Sequence, residues 1–156
     1  MVEHIERAFP ALRDSPFQVT SPRDRRYNCI AWAAGTATEW WWPDGHGGAH
    51  WPADAPRVQT IEAFRLAFAT LGYVPCDDER VEAGYEKVAL FALNNTPKHA
   101  ARQLSSGRWT SKLGPMEDIE HELHDLTGLV YGSVVLFMKR RLYDPDAARG
   151  GVEGAD

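Results

Sequence analysis

The chain has 156 residues and a net charge of −5, and 44% of its residues are hydrophobic. This length is enough for one domain with a substantial core. The negative charge, without a stripe of Lys or Arg, argues against a nucleic-acid partner. No apolar run reaches the about 20 residues of a membrane span, and the N-terminus lacks the pattern of a signal peptide. We therefore expect a cytoplasmic protein with no membrane partner and with reduced cysteines.

The first part of the chain predicts one short buried helix after a lead-in. Residues 1–20 form the lead-in, with one helical turn from Ile5 to Ala8. Asn28 is a natural N-cap, and residues 29–34 are mostly apolar and small, which predicts a helix that begins at the cysteine. Gly35 is a suitable C-cap for that helix. Cys29 would then lie in its first turn.

A long loop and a second helix come next. Residues 39–56 are rich in Trp, Gly, Pro and His and have no periodicity, which predicts a loop. The second helix is predicted because apolar residues then recur at helical spacing, at Ile61, Phe64, Phe68 and Leu71. Gly72 ends this helix, and residues 73–76 predict a short strand.

The second half of the chain shows the pattern of a sheet. Residues 87–93 are apolar on both faces, as is typical of a central strand. Residues 99–104 and 108–113 flank the turn at 105–107 and predict a hairpin. Residues 134–139 predict a last core strand. Helices followed by antiparallel strands indicate an α+β fold, with the helix that carries Cys29 packed on the sheet.

A third helix is expected between the hairpin and the last strand, because four apolar residues again have helical spacing: Met116, Ile119, Leu123 and Leu126. His121 and His124 would lie on the exposed face of this helix. Residues 144–156 are polar and Gly-rich, which predicts a disordered tail. Residues 1–143 would therefore form a single domain.

Cys29 and His99 are the pair of residues that points to catalysis. A thiol in the first turn of a helix lies at the positive end of the helix dipole, which favours the thiolate. His99 opens a predicted strand, and a histidine from a distant strand can act as the base for a cysteine nucleophile. The alternative is that Cys29 is a small core side chain, which is the commoner role of a lone cysteine.

A third group usually orients the catalytic base. We assign this role to Ser111, which lies on the strand after His99, and Asp118 is a second candidate. Lys112 points to the other face of that strand and cannot accept a hydrogen bond from an imidazole while it is charged.

The Trp-rich loop, residues 39–51, has two interpretations. Its tryptophans are Trp40, Trp41, Trp42 and Trp51. They could line an aromatic cleft that binds a peptide or acyl group, or they could cover an edge of the core. His46 and His50, together with Cys29 and Cys76, are the candidates for zinc ligands, but the glycines around His46 exclude a regular helix and no zinc motif appears. We therefore expect no metal.

The run Tyr-Asn-Cys-Ile-Ala-Trp-Ala at 27–33 resembles the nucleophile helix of the NlpC-type and CHAP-type branches of the papain-like cysteine peptidases. His99 at a strand start, with Gly-Arg-Trp at 107–109 opening the next strand, is similar to the histidine strand and hairpin of those enzymes. The resemblance implies a papain-like fold with Cys29 as nucleophile, His99 as general base and Tyr27 near the oxyanion.

Residues from about 20 to 138 also resemble a widespread family of uncharacterised bacterial proteins. These proteins share the motif at 27–33, the Trp-rich loop, His-Ala-Ala-Arg-Gln-Leu at 99–104 and Gly-Arg-Trp-Thr-Ser-Lys-Leu-Gly at 107–114. The chain departs from NlpC-type enzymes because it shows no evident second His or Asn to orient the base. It also lacks the secretion signal of cell-wall hydrolases, which favours an intracellular substrate over peptidoglycan.

Two functions from different classes follow from these residues. The first is a cysteine hydrolase (a peptidase, amidase or acyl-transferase) that acts on a peptide or other amide-containing substrate through a Cys29 thioester. The second is a non-catalytic binding domain of the same fold that holds a partner with the Trp-rich loop. No residue pattern indicates an organic cofactor, and the sequence leaves the substrate and the oligomeric state open.

Overall fold

One antiparallel sheet of seven strands organises the part of the chain that the structure, a computed structural model, describes, which is residues 2–142. The strands are β1 (Gln18–Ser21), β2 (Val74–Cys76), β3 (Tyr85–Leu93), β4 (Thr96–Gln103), β5 (Trp109–Lys112), β6 (Asp118–His121) and β7 (Ser133–Arg141). Their order across the sheet is β1-β6-β5-β4-β3-β7-β2. The helices are α1 (Glu3–Ala8), α2 (Cys29–Ala34) and α3 (Ile61–Ala69), and 3₁₀ turns span Pro10–Arg13 and Leu123–Leu126. The predicted α+β class is confirmed.

The sheet has a separate core on each face. The thiol face is the one covered by α2 and α3, and the histidine face is the one covered by α1 and the two 3₁₀ turns. Strand β3 contributes to both cores because successive side chains of a strand point to opposite faces. Val88 and Leu90 belong to the core of the thiol face, whereas Ala89 and Phe91 belong to the core of the histidine face. The prediction of a central strand that is buried on both sides is confirmed.

The short helix α2 has the predicted ends. The Asn28 side-chain oxygen accepts a hydrogen bond from the Ala31 backbone N–H, which satisfies one of the free donors of the first turn. Gly35 ends the helix in the left-handed conformation, with φ of 97°, which a residue without a side chain adopts at little cost. Cys29 is therefore the first residue of the helix, where the sequence predicts it.

The predicted helix over residues 116–126 is wrong. Residues Asp118–His121 form strand β6, which pairs with β1 on one side and with β5 on the other, and only Leu123–Leu126 form a helical turn. Tertiary pairing therefore decides the conformation, although the apolar spacing also fits a helix. Strand β1 was not predicted from the lead-in, and it exists because β6 offers it a partner.

Three further predictions concern the chain as a whole. The predicted tail, residues 144–156, lies outside the described residues. Between residues 2 and 142, no helix combines the length and the apolar character needed to cross a membrane. Cys29 and Cys76 are both free thiols.

Candidate functional site

The site lies where strands β4 and β5 stop pairing. The two strands are paired only at Arg102 with Thr110 and at Gln103 with Trp109. In an antiparallel pair, every second residue of a strand directs its backbone N–H and C=O groups toward the same neighbouring strand. In β4, the even-numbered residues direct these groups toward β5. The stretch of β4 before Arg102 therefore has backbone groups that β5 does not bind.

The Cys29 thiol lies against this unpaired stretch of β4. Its sulfur is 3.9 Å from the Lys98 carbonyl oxygen, and the Ala100 backbone N–H is directed at the sulfur. The residue is 5% exposed. Burial raises the pKa of the thiol to about 11, because the charged form loses its hydration, and the Ala100 N–H opposes this rise. The predicted stabilisation of the thiolate is therefore wrong, since burial outweighs the field of a helix of six residues.

Cys29 also forms part of the wall of a pocket of about 270 Å³. The sides of the pocket are aromatic, and they come from Trp40, Trp42 and Tyr131. The remaining lining residues are Asn28, Lys98 and Gly114. Two of the tryptophans that the sequence proposes for a cleft therefore line a pocket together with the thiol.

The other two tryptophans of the Trp-rich loop do not line this pocket. Trp41 is 8% exposed and Trp51 is 5% exposed, and both belong to the core of the thiol face. The Trp51 indole N–H donates to the Pro56 carbonyl at 2.9 Å, and its ring meets the Phe64 ring edge-on. The proposed binding role is thus corrected for Trp41 and Trp51, because the loop uses them to complete the core.

His99 projects from β4 into the histidine face. Its ring stacks on the Tyr131 ring with centroids 4.0 Å apart, and it also contacts Phe91. Its Nε2 is 2.9 Å from the Ser111 hydroxyl oxygen, which in turn is 2.7 Å from Nε2 of His121. All three of these polar residues are completely buried. The structure thus brings Ser111 to His99, as the sequence predicts, and adds a second histidine.

The backbone carbonyl of Glu122 sets the direction of every hydrogen bond in this relay. It accepts from His121 Nδ1 at 2.8 Å, and a carbonyl can only accept, so Nε2 of a neutral His121 must accept from the Ser111 hydroxyl. The Ser111 oxygen then accepts the Nε2 hydrogen of His99. A neutral His99 therefore carries its lone pair on Nδ1.

Burial keeps both imidazole rings of the relay neutral. It lowers the pKa of His121 to about 4, and it lowers the pKa of His99 to well below 6.5, with a smaller contribution from the nearby His121 ring. The tautomers deduced from the Glu122 carbonyl are therefore the resting ones at neutral pH.

Cys29 and His99 lie on opposite faces of the sheet beside the same stretch of β4, and no hydrogen bond joins them. The buried Nδ1 atom of His99 has no hydrogen-bond partner anywhere in residues 2–142. The Cys29 sulfur nevertheless contacts the backbone of Lys98 and Ala100, which are the residues on either side of His99. Tyr131 touches both halves of the site, because it stacks on His99 and lines the pocket with Cys29.

Tyr27 and Asp118 form a separate buried pair. The Tyr27 hydroxyl donates to the Asp118 carboxylate at 2.9 Å, and burial together with this carboxylate raises the pKa of Tyr27 to about 12. Tyr27 is not among the residues that line the Cys29 pocket. Asp118 also accepts from the Thr20 hydroxyl. The carboxylate therefore binds these two hydroxyls, and Ser111 is the residue that contacts His99.

Lys112 fixes the segment that leads into α2. Its side chain is completely buried on the thiol face, opposite His99, as expected from strand alternation. The ammonium group donates to three backbone carbonyls, those of Asp24, Tyr27 and Gly114. This arrangement ties the residues before Cys29 to strand β5.

His121 is the residue of the site that sequence reasoning missed. The apolar spacing places it on an exposed helix face, whereas the structure buries it on β6. The signal that could have found it is the alternation of Ile119, His121 and Leu123, which has the period of a strand. His46 and His50 lie outside this site, and the described part of the chain gathers no group of three His, Cys, Asp or Glu side chains that could hold a metal ion.

Comparison with known proteins gives one match. No curated protein and no solved structure matches this chain. A family model described as a domain of unknown function, DUF7689, matches residues 18–139, which include the Cys29 pocket and the whole His99–Ser111–His121 relay. Because the match spans most of the sequence, the chain belongs to the DUF7689 family.

Proposed function

We propose that this protein is a papain-like cysteine hydrolase in which Cys29 is the nucleophile and His99 is the general base. The observation that carries the proposal is the relay from Glu122 to His99, because it leaves His99 Nδ1 as a buried proton acceptor without a partner. Buried polar atoms are almost always hydrogen-bonded, so an exception needs an explanation, and a catalytic role is one such explanation. The Cys29 thiol is the candidate nucleophile, since its sulfur lies 3.9 Å from the carbonyl oxygen of Lys98, the residue before His99.

The architecture supports the same assignment. A helix that begins with the cysteine packs on an antiparallel sheet, and a strand of that sheet carries the histidine. This is the arrangement that the resemblance to NlpC-type enzymes implies. The Ser111–His121 pair takes the place of a single orienting residue, because it holds Nε2 of His99 and thereby directs Nδ1 to act as the base.

The reaction follows from these atoms. The Cys29 thiol transfers its proton to His99 Nδ1 while the sulfur bonds to the carbonyl carbon of an amide or ester. The bond from that carbon to nitrogen or oxygen breaks, the His99 proton leaves with the amine or alcohol, and a Cys29 thioester remains. A water molecule then gives a proton to His99 while the water oxygen bonds to the thioester carbon. The bond between this carbon and the Cys29 sulfur breaks, the carboxylic acid departs, and the sulfur takes the proton from His99.

The relay stays intact through these steps. Protonation of His99 at Nδ1 leaves its Nε2 hydrogen in place, so the bond to Ser111 does not have to reverse. The resting site is uncharged, since the raised pKa of Cys29 and the lowered pKa of His99 both disfavour an ion pair. We therefore propose that bound substrate brings the thiol and the imidazole into contact.

Acetylation by p-nitrophenyl acetate tests this function. The Cys76→Ser protein leaves Cys29 as the only thiol, and we expect one acetyl group on Cys29 by mass spectrometry with release of p-nitrophenolate. The His99→Gln variant should slow acetylation by about 10²–10⁴-fold, the usual contribution of a general base. The control is His124→Gln, which changes an exposed histidine on the adjacent 3₁₀ turn and should leave the rate unchanged.

A binding domain without catalysis is the second candidate. The raised pKa of Cys29 and the missing Cys29–His99 hydrogen bond favour it, because both are typical of a core cysteine. In that case the pocket of Trp40 and Trp42 would hold a ligand, and Cys29 would only line it. Equal acetylation rates in the wild type and in His99→Gln, or acetylation only after unfolding, would select this candidate.

A further inference from the structure

We infer that the pocket beside Cys29 selects a small acyl group that has an apolar or aromatic body and carries a carboxylate. This inference names the substrate class of the proposed hydrolase and rests on that function. It is drawn from the charge, the walls and the size of the pocket.

The charge of the pocket is positive. Lys98 is the only charged residue that lines it, and Lys98 is exposed and has no ion pair within residues 2–142. The Lys112 ammonium lies behind the lining residue Gly114, to whose carbonyl it donates. Three carboxylates act on this ammonium, those of Asp24, Asp118 and Glu117. Lys98 is therefore the cation that meets a ligand. Among the residues that the structure describes, no carboxylate lines the pocket to balance Lys98. An anionic ligand is therefore attracted and a cationic one is repelled.

The amide side chain of the pocket, Asn28, already has hydrogen-bond partners within the protein. The Asn28 side-chain oxygen accepts from the backbone N–H groups of Ala31 and Trp41, and its amide donates to the Trp41 carbonyl. Asn28 therefore supports the loop and the helix rather than a ligand. Lys98 is therefore the charged group of the pocket that can recognise an anionic part of the substrate.

The walls and the size of the pocket define the rest of the ligand. The rings of Trp40, Trp42 and Tyr131 form aromatic sides, which favour an apolar or aromatic body. A volume of about 270 Å³ is just below the about 300–1,000 Å³ that is usual for drug-sized ligands. The pocket therefore fits one acyl group or side chain rather than a polymer.

The experiment compares two alkylating agents that differ in charge, iodoacetate and iodoacetamide, in the Cys76→Ser protein. The reference is the ratio of their rates with the same protein unfolded in urea. We expect folding to shift this ratio about fivefold toward iodoacetate at low ionic strength, and less in 1 M salt. Lys98→Gln should remove the shift and Lys98→Glu should reverse it. Arg13→Gln, which removes a cation on the opposite face of the sheet, should retain it.

The aromatic walls are tested by protection. We expect 3-phenylpropanoate to slow the alkylation of Cys29 by iodoacetamide, 3-phenylpropanamide to protect less, and Trp40→Ala to lose the protection. Identical rate ratios in the folded and unfolded protein would overturn the inference. A Cys29 that reacts with neither agent before unfolding would also overturn it, because the pocket would then be closed to ligands.

The same reagents separate this inference from the proposed function. Charge selection needs no acyl transfer, so His99→Gln should keep the preference for iodoacetate even where it loses acetylation. A protein that prefers iodoacetate but is never acetylated supports an anion-binding pocket and refutes the hydrolase. A protein that is acetylated through His99 without charge selection supports the hydrolase and refutes this inference.

Discussion

The two faces of the sheet meet at the gap between β4 and β5, and each face controls its half of the site by a different physical effect. On the thiol face, the protonation of Cys29 is set by burial against aromatic walls. On the histidine face, the tautomer of His99 is set by a fixed series of hydrogen bonds that begins at the Glu122 carbonyl. A ligand can change the burial of the thiol without altering the relay. In the proposed hydrolase, substrate would therefore act on the nucleophile, while the relay prepares the base in advance.

We expect the largest loss of stability from Lys112→Met, which disrupts the thiol face. Three backbone carbonyls lose the ammonium group that they bind, and the segment before Cys29 loses its tie to β5. The free energy of unfolding should fall by about 3–5 kcal/mol, since the Tyr27 carbonyl is left buried without a partner and the part-buried carbonyls of Asp24 and Gly114 lose theirs. Urea unfolding measures it. The control is Lys139→Met, which removes a partly exposed ion pair and should cost at most about 1 kcal/mol.

Acid should weaken the histidine face next. His121 has a pKa of about 4 in the folded protein against an ordinary value of 6.5, so between these pH values the unfolded chain binds more protons than the folded one. The free energy of unfolding should therefore fall as the pH is lowered from 6.5 to 4, by about 3 kcal/mol from His121 alone. His99 acts in the same direction because its pKa is also lowered.

The variant His121→Gln isolates this effect of pH. Its urea midpoint should fall less steeply than that of the wild type between pH 6.5 and 4, whatever its stability at pH 7. Parallel curves for the two proteins would show that His121 is not held neutral by the fold.

Ser111→Ala breaks the relay in its centre. Both Nε2 atoms, of His99 and of His121, lose their partner in a buried site, and we expect a loss of about 2–3 kcal/mol in urea unfolding. The His99 tautomer is then no longer fixed, so the ¹⁵N chemical shifts of its two ring nitrogens should move toward each other. Ser133→Ala, at an exposed position of β7, should change stability by less than about 0.5 kcal/mol. Unchanged ¹⁵N shifts in Ser111→Ala would mean that the relay does not select the tautomer.

The same contrast explains how far the sequence predicts the molecule. Helix α2 is predictable because its ends depend on local residues, Asn28 and Gly35, and the hairpin of β4 and β5 is predictable from its turn. Strand β6 is not predictable in this way, because its apolar residues fit both the helical and the strand period. Its conformation depends on pairing with β1 and β5. The burial of His121 is therefore not predictable either, because His121 lies on that strand. The pKa of Cys29 depends first on its burial in the folded protein and then on the backbone of Ala100, which is about 70 positions away along the chain.

Tyr131 offers the finest test of how separate the two halves of the site are. It is stacked on His99 at an interplanar angle of 8° and also lines the Cys29 pocket. Tyr131→Leu removes the stack and should cost about 1 kcal/mol, whereas Tyr131→Phe keeps the ring and should cost less. Both are measured by urea unfolding.

The decisive quantity is the coupling of Tyr131→Leu with Ser111→Ala in a double-mutant cycle. Ser111 holds one edge of the His99 ring and Tyr131 covers its flat face. Each substitution therefore removes one of these two contacts and changes what the remaining contact contributes to the position of the ring. We expect the two losses to differ from additivity by about 0.5–1 kcal/mol, as is usual for residues that share a contact. Strict additivity would mean that the relay alone positions His99. Movement of Tyr131 on ligand binding would then leave the base where it is, and the thiol would have to make the whole approach.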